Sequence, residues 1–552
     1  MSALPLRLAL ILAGASAPAV AAPDGATVFH PVHARHGMVV SEQALASRIG
    51  ADVLRRGGNA VDAAVATGFA LAVVLPYAGN LGGGGFMLRH DAACACQNAL
   101  DFRETAPAAL SSAALARAGA DVRHSPLAVG VPGTVAGLDY ALRHWGTLTL
   151  AEAIAPAAHL AERGFPVSEQ LAWRLVQERA VLARHAASRA IFFRAGRPLR
   201  AGETLRQSDL ARTLRRIAAD GAPAFYQGPV GRRIVATLAR HGGVLSRADL
   251  ARYRPLVREP LRGHYRGYDI VAVPPPSSGG IHVVQILNLL ERHAPATEGA
   301  YSAQNLHYLI EASKLAFADR ERYVADPDYT AVPVAALISR DYADAQAARI
   351  DPRRAAPAER VPPGATAPYE SAQTTHYSVV DAAGNAVAVT YTLNENFGSG
   401  IVAAGTGILL NDEMVSFDAG TDTANALRPG KRPLSSMAPT LVLKNAAPWL
   451  VTGSPGSERI ISVVAQPLVD IIDYGMNPAE AAATPRVHAA RDSGELWVER
   501  GMSADSLRLL RGLGHRLAPA PAMGRTQTLL RRGDGWEGAS DPRNPDGAAI
   551  GY

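Results

Sequence analysis

Lysine is almost absent from this 552-residue sequence, since only Lys314, Lys431 and Lys444 are lysines among its 55 basic residues. The arginines are scattered, so the net charge of +6 is interpreted as coding bias rather than a nucleic-acid-binding surface. Cysteine is as scarce: Cys94 and Cys96 could bridge each other or remain thiols, and they are interpreted as a variable loop position. No cysteine–histidine spacing of a zinc site and no glycine-rich phosphate-binding loop is found, which indicates neither a metal nor a nucleotide cofactor.

Long hydrophobic runs are missing as well. Residues 8–22 are apolar, but the stretch is too short for a membrane span and contains Pro18. A short n-region, this apolar segment and small residues at 19–21 instead predict a secretory signal over residues 1–21, and hence a periplasmic or secreted protein. With 48% hydrophobic and 19% charged residues, the chain has the composition of a globular protein with a sizeable core.

Two helices are predicted near the start of the chain, and a third beyond its middle. One spans residues 41–56, and Asn59 is positioned to cap a second over residues 60–75, with Asp62 at its third position. The second helix is apolar nearly all round, so it should be buried. A long helix over residues 301–323 is interpreted as scaffold. Three polar residues on it are given no chemical role: His307, Glu311 and Lys314.

The most informative stretch is residues 373–381, which read QTTHYSVVD and open an alternating strand. A soft segment with Pro362, Pro363 and Pro368 precedes it. A hydroxyl residue at the head of such a strand can attack the peptide bond before it, and afterwards serve as a nucleophile whose own amine is the base. The plain alternative is a surface hydroxyl at a strand end.

A second strand over residues 386–394 completes a hairpin, with large residues on one face and small polar residues on the other. If the turn contains four residues, Val380 pairs with Val387 and Thr374 falls opposite Leu393. The nucleophile position is then flanked by two small polar residues, Thr392 and Asn394.

Several motifs in order resemble those of the γ-glutamyltranspeptidases, which are N-terminal nucleophile hydrolases. They lie at residues 373–381, 431–437 (KRPLSSM), 452–456 (TGSPG), 79–87, 101–104, 131–137 and 538–543. The resemblance covers the chain from about residue 30 to its end. It implies an α+β fold, a four-layer αββα sandwich, and places the glycines at 82–85 near the floor of the active site.

The resemblance also implies that the chain cuts itself between Gln373 and Thr374. The products would be a large chain of residues 22–373 and a small catalytic chain of residues 374–552, which stay associated. The freed α-amine of Thr374 would act as general base, because an α-amino group titrates near pH 8. Thr392 matches a threonine that orients the nucleophile. No cofactor is implied.

The oxyanion hole of the family consists of two successive backbone amides in a Gly-Ser-Pro-Gly-Gly run. Here the run ends in Gly456 and Ser457, so its second glycine is replaced. The backbone N–H groups survive this change, but a conformation with positive φ would be strained at a serine. We therefore expect an intact hole.

Recognition of the substrate's α-amino acid end is implied at six positions: Arg103, Asn394, Glu413, Ser416, Ser435 and Ser436. Arg103 and the two serines of 435–436 match groups that bind the α-carboxylate, for which a planar guanidinium is suited. Asn394 and Glu413 match groups that hold the α-amine. Ser416 replaces the usual aspartate, and losing that charged hydrogen bond costs on the order of 1–3 kcal/mol.

The implied donors are glutathione and other γ-glutamyl compounds, and the acceptor is an amino acid, a peptide or water. Only residues 418–430 separate Phe417 from Lys431, so the chain resembles members that lack a lid loop, in which an open site favours hydrolysis. Two alternatives stay open. Ser416 favours a glutaryl-type amidase or cephalosporin acylase of the same fold, whereas a binding protein that never matures is disfavoured because Thr374, Thr392 and Asn394 are all present.

Overall fold

The structure is a computed structural model that describes residues 27–294, 299–356, 374–489 and 494–552. The predicted secretory signal and Gln373, the residue before the predicted cleavage point, lie outside these ranges. Among the helices within them, none combines the length and apolar character that crossing a membrane requires.

The helices lie mainly in the outer parts of the molecule. In chain order they are α1 (Ala44–Arg55), α2 (Ala60–Val74), α3 (Ser112–Arg117), α4 (Thr134–Trp145), α5 (Leu150–Arg163), α6 (Glu169–Gln177), α7 (Arg179–Leu182), α8 (Ala186–Phe192), α9 (Ser208–Asp220), α10 (Pro223–Tyr226), α11 (Pro229–Arg240), α12 (Arg247–Arg252), α13 (Gly279–Leu290), α14 (Ala303–Tyr323), α15 (Val334–Leu337), α16 (Arg340–Ala347), α17 (Arg459–Ile472), α18 (Pro478–Ala483) and α19 (Ala504–Gly512).

The strands are mostly short. In chain order they are β1 (Val32–Ala34), β2 (Met38–Ser41), β3 (Gly84–Asp91), β4 (Cys96–Asp101), β5 (Phe165–Pro166), β6 (Phe193–Arg194), β7 (Arg197–Pro198), β8 (Thr204–Leu205), β9 (Leu256–Arg258), β10 (Leu261–Tyr265), β11 (Tyr268–Ala272), β12 (Thr375–Val380), β13 (Ala386–Thr392), β14 (Val402–Ala403), β15 (Ile408–Leu409), β16 (Thr440–Lys444), β17 (Ala447–Thr452), β18 (Val487–Ala489), β19 (Leu496–Val498), β20 (Leu517–Pro519), β21 (Gln527–Arg532), β22 (Gly535–Ser540) and β23 (Ala548–Gly551).

Two seven-stranded antiparallel sheets form the middle of the molecule. Sheet A has the strand order β1-β22-β21-β17-β16-β11-β10, and sheet B has the order β23-β2-β12-β13-β3-β4-β9. The sheets face each other, with β12 against β21 and β13 against β17. The small residues of β12 and β13 point between the sheets, whereas Tyr377, Val389 and Tyr391 enter the core on the other face of sheet B.

Helices cover the outer face of each sheet. On sheet B, α2 packs against β12 and β13, and α1 packs against β2. On sheet A, α13 packs against β10 and β11 and is itself covered by α14 and α17. The order helix, sheet, sheet, helix confirms the predicted αββα sandwich.

The second helix shows how the sequence dictates its place. All fifteen residues of α2 are buried, as its uniformly apolar sequence predicts. Asn59 and Asp62 form a reciprocal capping box at its N-terminus, also as predicted. The first helix begins at Ala44 rather than at residue 41, because Ser41 belongs to β2 and the Gln43 side chain accepts a hydrogen bond from the Leu45 amide.

The hairpin that presents Thr374 is shifted by one residue from the predicted register. Val380 pairs with Ala386 rather than with Val387. Thr374, one residue before the strand, therefore comes opposite Thr392 and not Leu393. The correction brings the two threonines face to face across the ladder.

The shift arises in the turn, where the Asp381 side chain binds backbone amides of the loop. Its carboxylate accepts hydrogen bonds from the amides of Ala383 and Asn385, at 3.0 Å and 2.9 Å. Its own amide donates to the Asn385 carbonyl, which closes a loop of three residues instead of four. Gly384, at φ +90°, supplies the left-handed conformation that this tighter loop requires.

Strands β3 and β4 lead from the surface to the site. Cys94, in the turn between them, forms a disulfide with Cys96, the first residue of β4, which is the first of the two alternatives considered above. At the other end, a Cβ atom on Gly83 would overlap the carbonyl oxygen of Thr392, so only glycine permits β3 to approach β13 this closely. Arg103 lies two residues after the end of β4 at Asp101 and is therefore next to the close contact between β3 and β13.

Candidate active site

Eight of the ten site residues proposed from the sequence line one small, open pocket. The lining consists of Arg103, Thr374, Thr392, Asn394, Glu413, Ser435, Ser436, Met437, Ser457 and Ile460. Gly456 and Ser416 do not line it, although Gly456 precedes Ser457 in the chain and the Ser416 hydroxyl donates a hydrogen bond to Glu413. These residues come from five separate parts of the chain, so the fold and not sequence proximity assembles the pocket.

Thr374 lies at the head of β12, in the middle of sheet B, and is 4% exposed. Its hydroxyl donates to the Thr392 hydroxyl over a distance of 3.4 Å. The Asn394 amide donates to the same Thr392 oxygen at 2.8 Å, which fixes the orientation of that side chain. The Thr374 hydroxyl therefore has the hydroxyl of Thr392 as a fixed hydrogen-bond partner. The hairpin pattern placed this threonine beside Thr374, although in a different register.

Arg103 is 2% exposed and lies at the other side of the pocket. Its guanidinium contacts the Glu413 carboxylate with an N–O distance of 2.6 Å and the carbonyl oxygen of Leu434 at 3.1 Å. The Tyr253 hydroxyl donates to the Arg103 carbonyl and holds the backbone at this point. The pocket therefore contains a buried pair of opposite charges.

Glu413 carries the negative side of this pair. One of its oxygens accepts from Arg103 and from the Ser416 hydroxyl, which lies 2.8 Å away. The other, Oε2, has no hydrogen-bond partner among the described residues. Burial and the nearby Glu413 charge raise the pKa of Glu104 well above its usual range. Arg103 lies closer to Glu413, at 2.6 Å, than to Glu104, at 3.5 Å, so Glu413 is its main ion-pair partner.

Ser435 and Ser436 are held by groups that the sequence did not reveal. The carbonyl of Ser435 accepts from the amide and hydroxyl of Ser278, at 2.7 Å and 2.8 Å. The Ser436 hydroxyl accepts from Arg320, a 1% exposed residue of α14, at 2.9 Å. Arg320 lies on the buried face of α14, three residues after Phe317. A charged residue at a buried helix position is the sequence feature that could have identified it.

The predicted oxyanion turn lies between β17 and α17. Gly456 has φ +141° and Ser457 has φ +62°. The serine therefore adopts the left-handed conformation that a glycine at this position would adopt without strain. Its side chain lies in the pocket lining.

A buried ion pair supports this turn from behind. The Arg525 amide donates to the Ser454 hydroxyl at 2.9 Å, and the Arg525 guanidinium pairs with Glu42. Burial raises the pKa of the Glu42 carboxyl, and the charge of Arg525 opposes this shift. Neither residue could be identified from a sequence motif, because Glu42 and Arg525 are far apart in the chain.

Relief of the strain at Ser457 is testable. We expect Ser457→Gly to raise the free energy of unfolding by about 0.5–1 kcal/mol, because left-handed strain of about 1–2 kcal/mol exceeds the added chain entropy of about 0.5–1 kcal/mol. Amidase activity should stay within about threefold, since the backbone N–H is retained. Denaturant unfolding, with the substitution placed in the uncleaved Thr374→Ala precursor, and steady-state kinetics of the mature enzyme measure the two quantities.

Ala195→Gly is the matched control, because Ala195 has φ +49° in a turn outside the pocket. It should give a similar gain in unfolding free energy and unchanged kinetics. A tenfold fall in kcat for Ser457→Gly alone would show that the serine side chain, and not only its amide, takes part in the site.

The fold and the position of Thr374 define a class. Two antiparallel sheets between helical layers, with a threonine at the head of a central strand, are the architecture of the N-terminal nucleophile hydrolases. The sequence profile of the family described as Gamma-glutamyltranspeptidase matches residues 46–551. The chain belongs to this family.

Relatives agree over nearly the whole chain. It is 48% identical to the glutathione hydrolase proenzyme of Escherichia coli (strain K12), in a match covering 99% of this chain and 98% of that protein. It is also 40% identical to the acylase ACY 1 proenzyme of Pseudomonas sp. (strain SE83), covering 89% of each. The crystal structure of cephalosporin acylase from Bacillus halodurans superposes with a TM-score of 0.87 at 30% identity, covering 98% of this chain and 99% of that one.

Proposed function

We propose that the protein is an exported γ-glutamyltransferase and glutathione hydrolase that matures by cutting itself before Thr374. The Thr374 hydroxyl attacks the carbonyl carbon of Gln373, and water then releases the resulting ester. The products are the chain of residues 22–373 and the catalytic chain of residues 374–552, which remain associated. The proenzyme names of the relatives support this maturation.

In the mature enzyme the Thr374 hydroxyl attacks the γ-carbonyl carbon of the donor and gives its proton to the freed α-amine of Thr374. The amides of Gly456 and Ser457 stabilise the oxyanion. The carbon–nitrogen bond breaks, the leaving amine takes up the proton, and a γ-glutamyl ester on Thr374 remains. Water then releases glutamate, or an amino acid or peptide amine forms a new amide. Thr392 orients the nucleophile throughout.

The observation that carries the substrate assignment is the buried Arg103–Glu413 pair. An α-amino acid end carries one carboxylate and one ammonium group, so it can exchange partners with this pair without leaving a charge unbalanced. The carboxylate takes Arg103, assisted by Ser435 and Ser436. The ammonium group takes Glu413, whose Oε2 offers an acceptor, together with Asn394 and the Ser416 hydroxyl.

The experiment that tests the proposal combines intact mass measurement with N-terminal sequencing of the purified protein. Two chains, the smaller beginning Thr374-Thr375-His376, together with release of glutamate from glutathione, are expected. A single chain under maturing conditions, without amidase activity, would refute both the cleavage and the catalytic role. Material from the cell envelope should also lack residues 1–21, whereas a retained N-terminus would refute export.

The second candidate is a glutaryl-type amidase, which two findings favour. Ser416 lacks the carboxylate usual for binding an ammonium group, and acylases are among the relatives. Against it stands Glu413: a glutaryl group has no amine, so Glu413 would lose the cation it balances and face the ligand as a buried charge. Values of kcat/KM for γ-glutamyl and glutaryl anilides separate the two, and a preference for glutaryl would replace the first proposal.

A carboxylate at position 416 should increase the preference for γ-glutamyl over glutaryl substrates. We expect Ser416→Asp to raise kcat/KM for a γ-glutamyl anilide about tenfold, because a charged hydrogen bond contributes about 1–3 kcal/mol. Activity on the glutaryl anilide should fall, since the new charge faces no amine. Ser416→Asn is the control, being similar in size without the charge. Equal effects of both variants would contradict the assignment of Ser416 to ammonium recognition.

The acceptor is expected to be mostly water. Residues 418–430 form a short loop held by Asn425, whose amide group donates to the Ser416 carbonyl, and by Lys431, which donates to the Ala424 and Ala426 carbonyls. A loop tied down in this way has little length with which to cover the site. Water and bulky donors then reach the ester easily, which favours hydrolysis over transfer.

A further inference from the structure

A buried group of two histidines and one carboxylate lies outside the active site. His307 and Glu311 are one turn apart on α14, and His515 follows α19. The three ligand atoms lie within 4.8 Å of one another, and all three residues are buried. No step of the proposed reaction uses them. Two imidazoles with a carboxylate are the ligand set of several zinc sites.

The separation of the two histidine nitrogens is close to the one that a bound ion requires. His307 Nδ1 and His515 Nε2 lie 2.8 Å apart. Two ligands held tetrahedrally at about 2.1 Å from a zinc ion are about 3.4 Å apart, so the rings need to separate by only about half an ångström. Glu311 lies on the same face of α14 as His307, because residues four apart share a face of a helix.

The backbone already orients one of the ligands. His307 Nε2 lies 2.8 Å from the Asp351 carbonyl oxygen. A carbonyl only accepts, so the ring proton is on Nε2 and the Nδ1 lone pair points toward His515. A metal-binding histidine usually donates its second N–H to a carbonyl or carboxylate in this way.

The Lys314 ammonium group competes with a metal ion for the Glu311 carboxylate. Its ammonium group contacts Glu311 Oε1 at 2.7 Å, and its side chain is 19% exposed. It can therefore turn to solvent and free that oxygen. The other Glu311 oxygen accepts from the Ala356 amide at 3.1 Å, which keeps the carboxylate in place.

We propose that His307, Glu311 and His515 bind a transition-metal ion of the zinc type. Binding moves the proton between the two rings from Nε2 to Nδ1 of His515, and the Lys314 ammonium group turns outward. His307 and Glu311 hold residues 351–356, the last described segment before Thr374, whereas His515 belongs to the C-terminal part. The ion therefore joins the two chains that the proposed cleavage creates, although the site itself does not depend on that cleavage.

The test uses untagged full-length protein, both wild type and the Thr374→Ala precursor. After equilibration with Zn²⁺ and dialysis, mass spectrometry of the metal should find one equivalent in each. Co²⁺ should give the visible absorption bands of tetrahedral nitrogen and oxygen coordination, and Zn²⁺ should raise Tm by several degrees. Binding to the precursor separates failure of the metal site from failure of the proposed maturation.

Three variants and a control sharpen the result. His307→Gln and His515→Gln should each weaken Zn²⁺ binding more than about 100-fold, whereas Lys314→Gln should strengthen it about tenfold by removing the competitor. His293→Gln is the control, because His293 forms a hydrogen bond with Asn305 of the same helix, α14, and is not one of the proposed ligands. This substitution should leave the Zn²⁺ affinity unchanged. Absence of bound metal from both wild type and Lys314→Gln would overturn the proposal, as would one full equivalent in both histidine variants.

Discussion

The Thr374→Ala variant is expected to remain one uncut chain without measurable amidase activity. The alanine removes the hydroxyl that attacks the Gln373 carbonyl, and no α-amine is then freed to act as base. The loss in kcat should be at least about 10⁴-fold, as for the removal of a nucleophile elsewhere. Intact mass and hydrolysis of a γ-glutamyl anilide measure the two effects.

Two controls frame this result. Thr374→Ser keeps a hydroxyl and should mature and react, more slowly. Thr375→Val changes the neighbouring threonine, which points to the opposite face of β12, with a side chain of the same shape. It should cleave normally. Normal cleavage in Thr374→Ala, or its loss in Thr375→Val alone, would move the nucleophile away from Thr374.

Arg103→Gln is expected to lower kcat/KM for γ-glutamyl substrates by about 10²–10³, mainly through KM. The change leaves Glu413 buried without its cation, and breaking such a pair by removing one partner costs about 3–5 kcal/mol. It also removes the guanidinium proposed to bind the α-carboxylate. Kinetics over a range of donor concentrations separate KM from kcat.

Arg103→Lys should recover part of the loss, because it restores the charge without the two-pronged geometry. The surface control is Arg143→Gln, which breaks a pair with Asp139 on α4 whose arginine side chain is 62% exposed. Such pairs contribute about 0–1 kcal/mol, so its kinetics should match those of the wild type. A value of kcat/KM for Arg103→Gln within threefold of wild type would remove Arg103 from substrate binding.

Much of the fold and most of the pocket could be predicted from the sequence, because their signals are local. The alternation of residues 386–394 and the uniform apolarity of α2 fixed the central hairpin and the helix that covers it. The register could not be predicted, since it depends on hydrogen bonds between the Asp381 side chain and amides in the turn. Turn chemistry of this kind acts over four residues and changes every pairing by one.

Contacts between distant parts of the chain also could not be predicted from the sequence. Arg103 and Glu413 were each assigned to a different end of the substrate, but nothing in the sequence showed that they pair with each other. The same holds for Arg320 and for His307 with His515, whose partners are more than a hundred residues away. Position on a buried helix face is a usable signal, and it would have identified both Arg320 and His307.

The strand order of the two sheets has a consequence for how the protein can be made. In sheet B, β2 from the first part of the chain lies between β23 and β12 from the last part, and sheet A is mixed in the same way. Before the proposed cleavage, refolding is a unimolecular process. Afterwards it requires two unfolded chains to meet and interleave, so its yield should depend on concentration and compete with aggregation. Denaturation of the mature enzyme should therefore be effectively irreversible, and subunits from different molecules should not exchange.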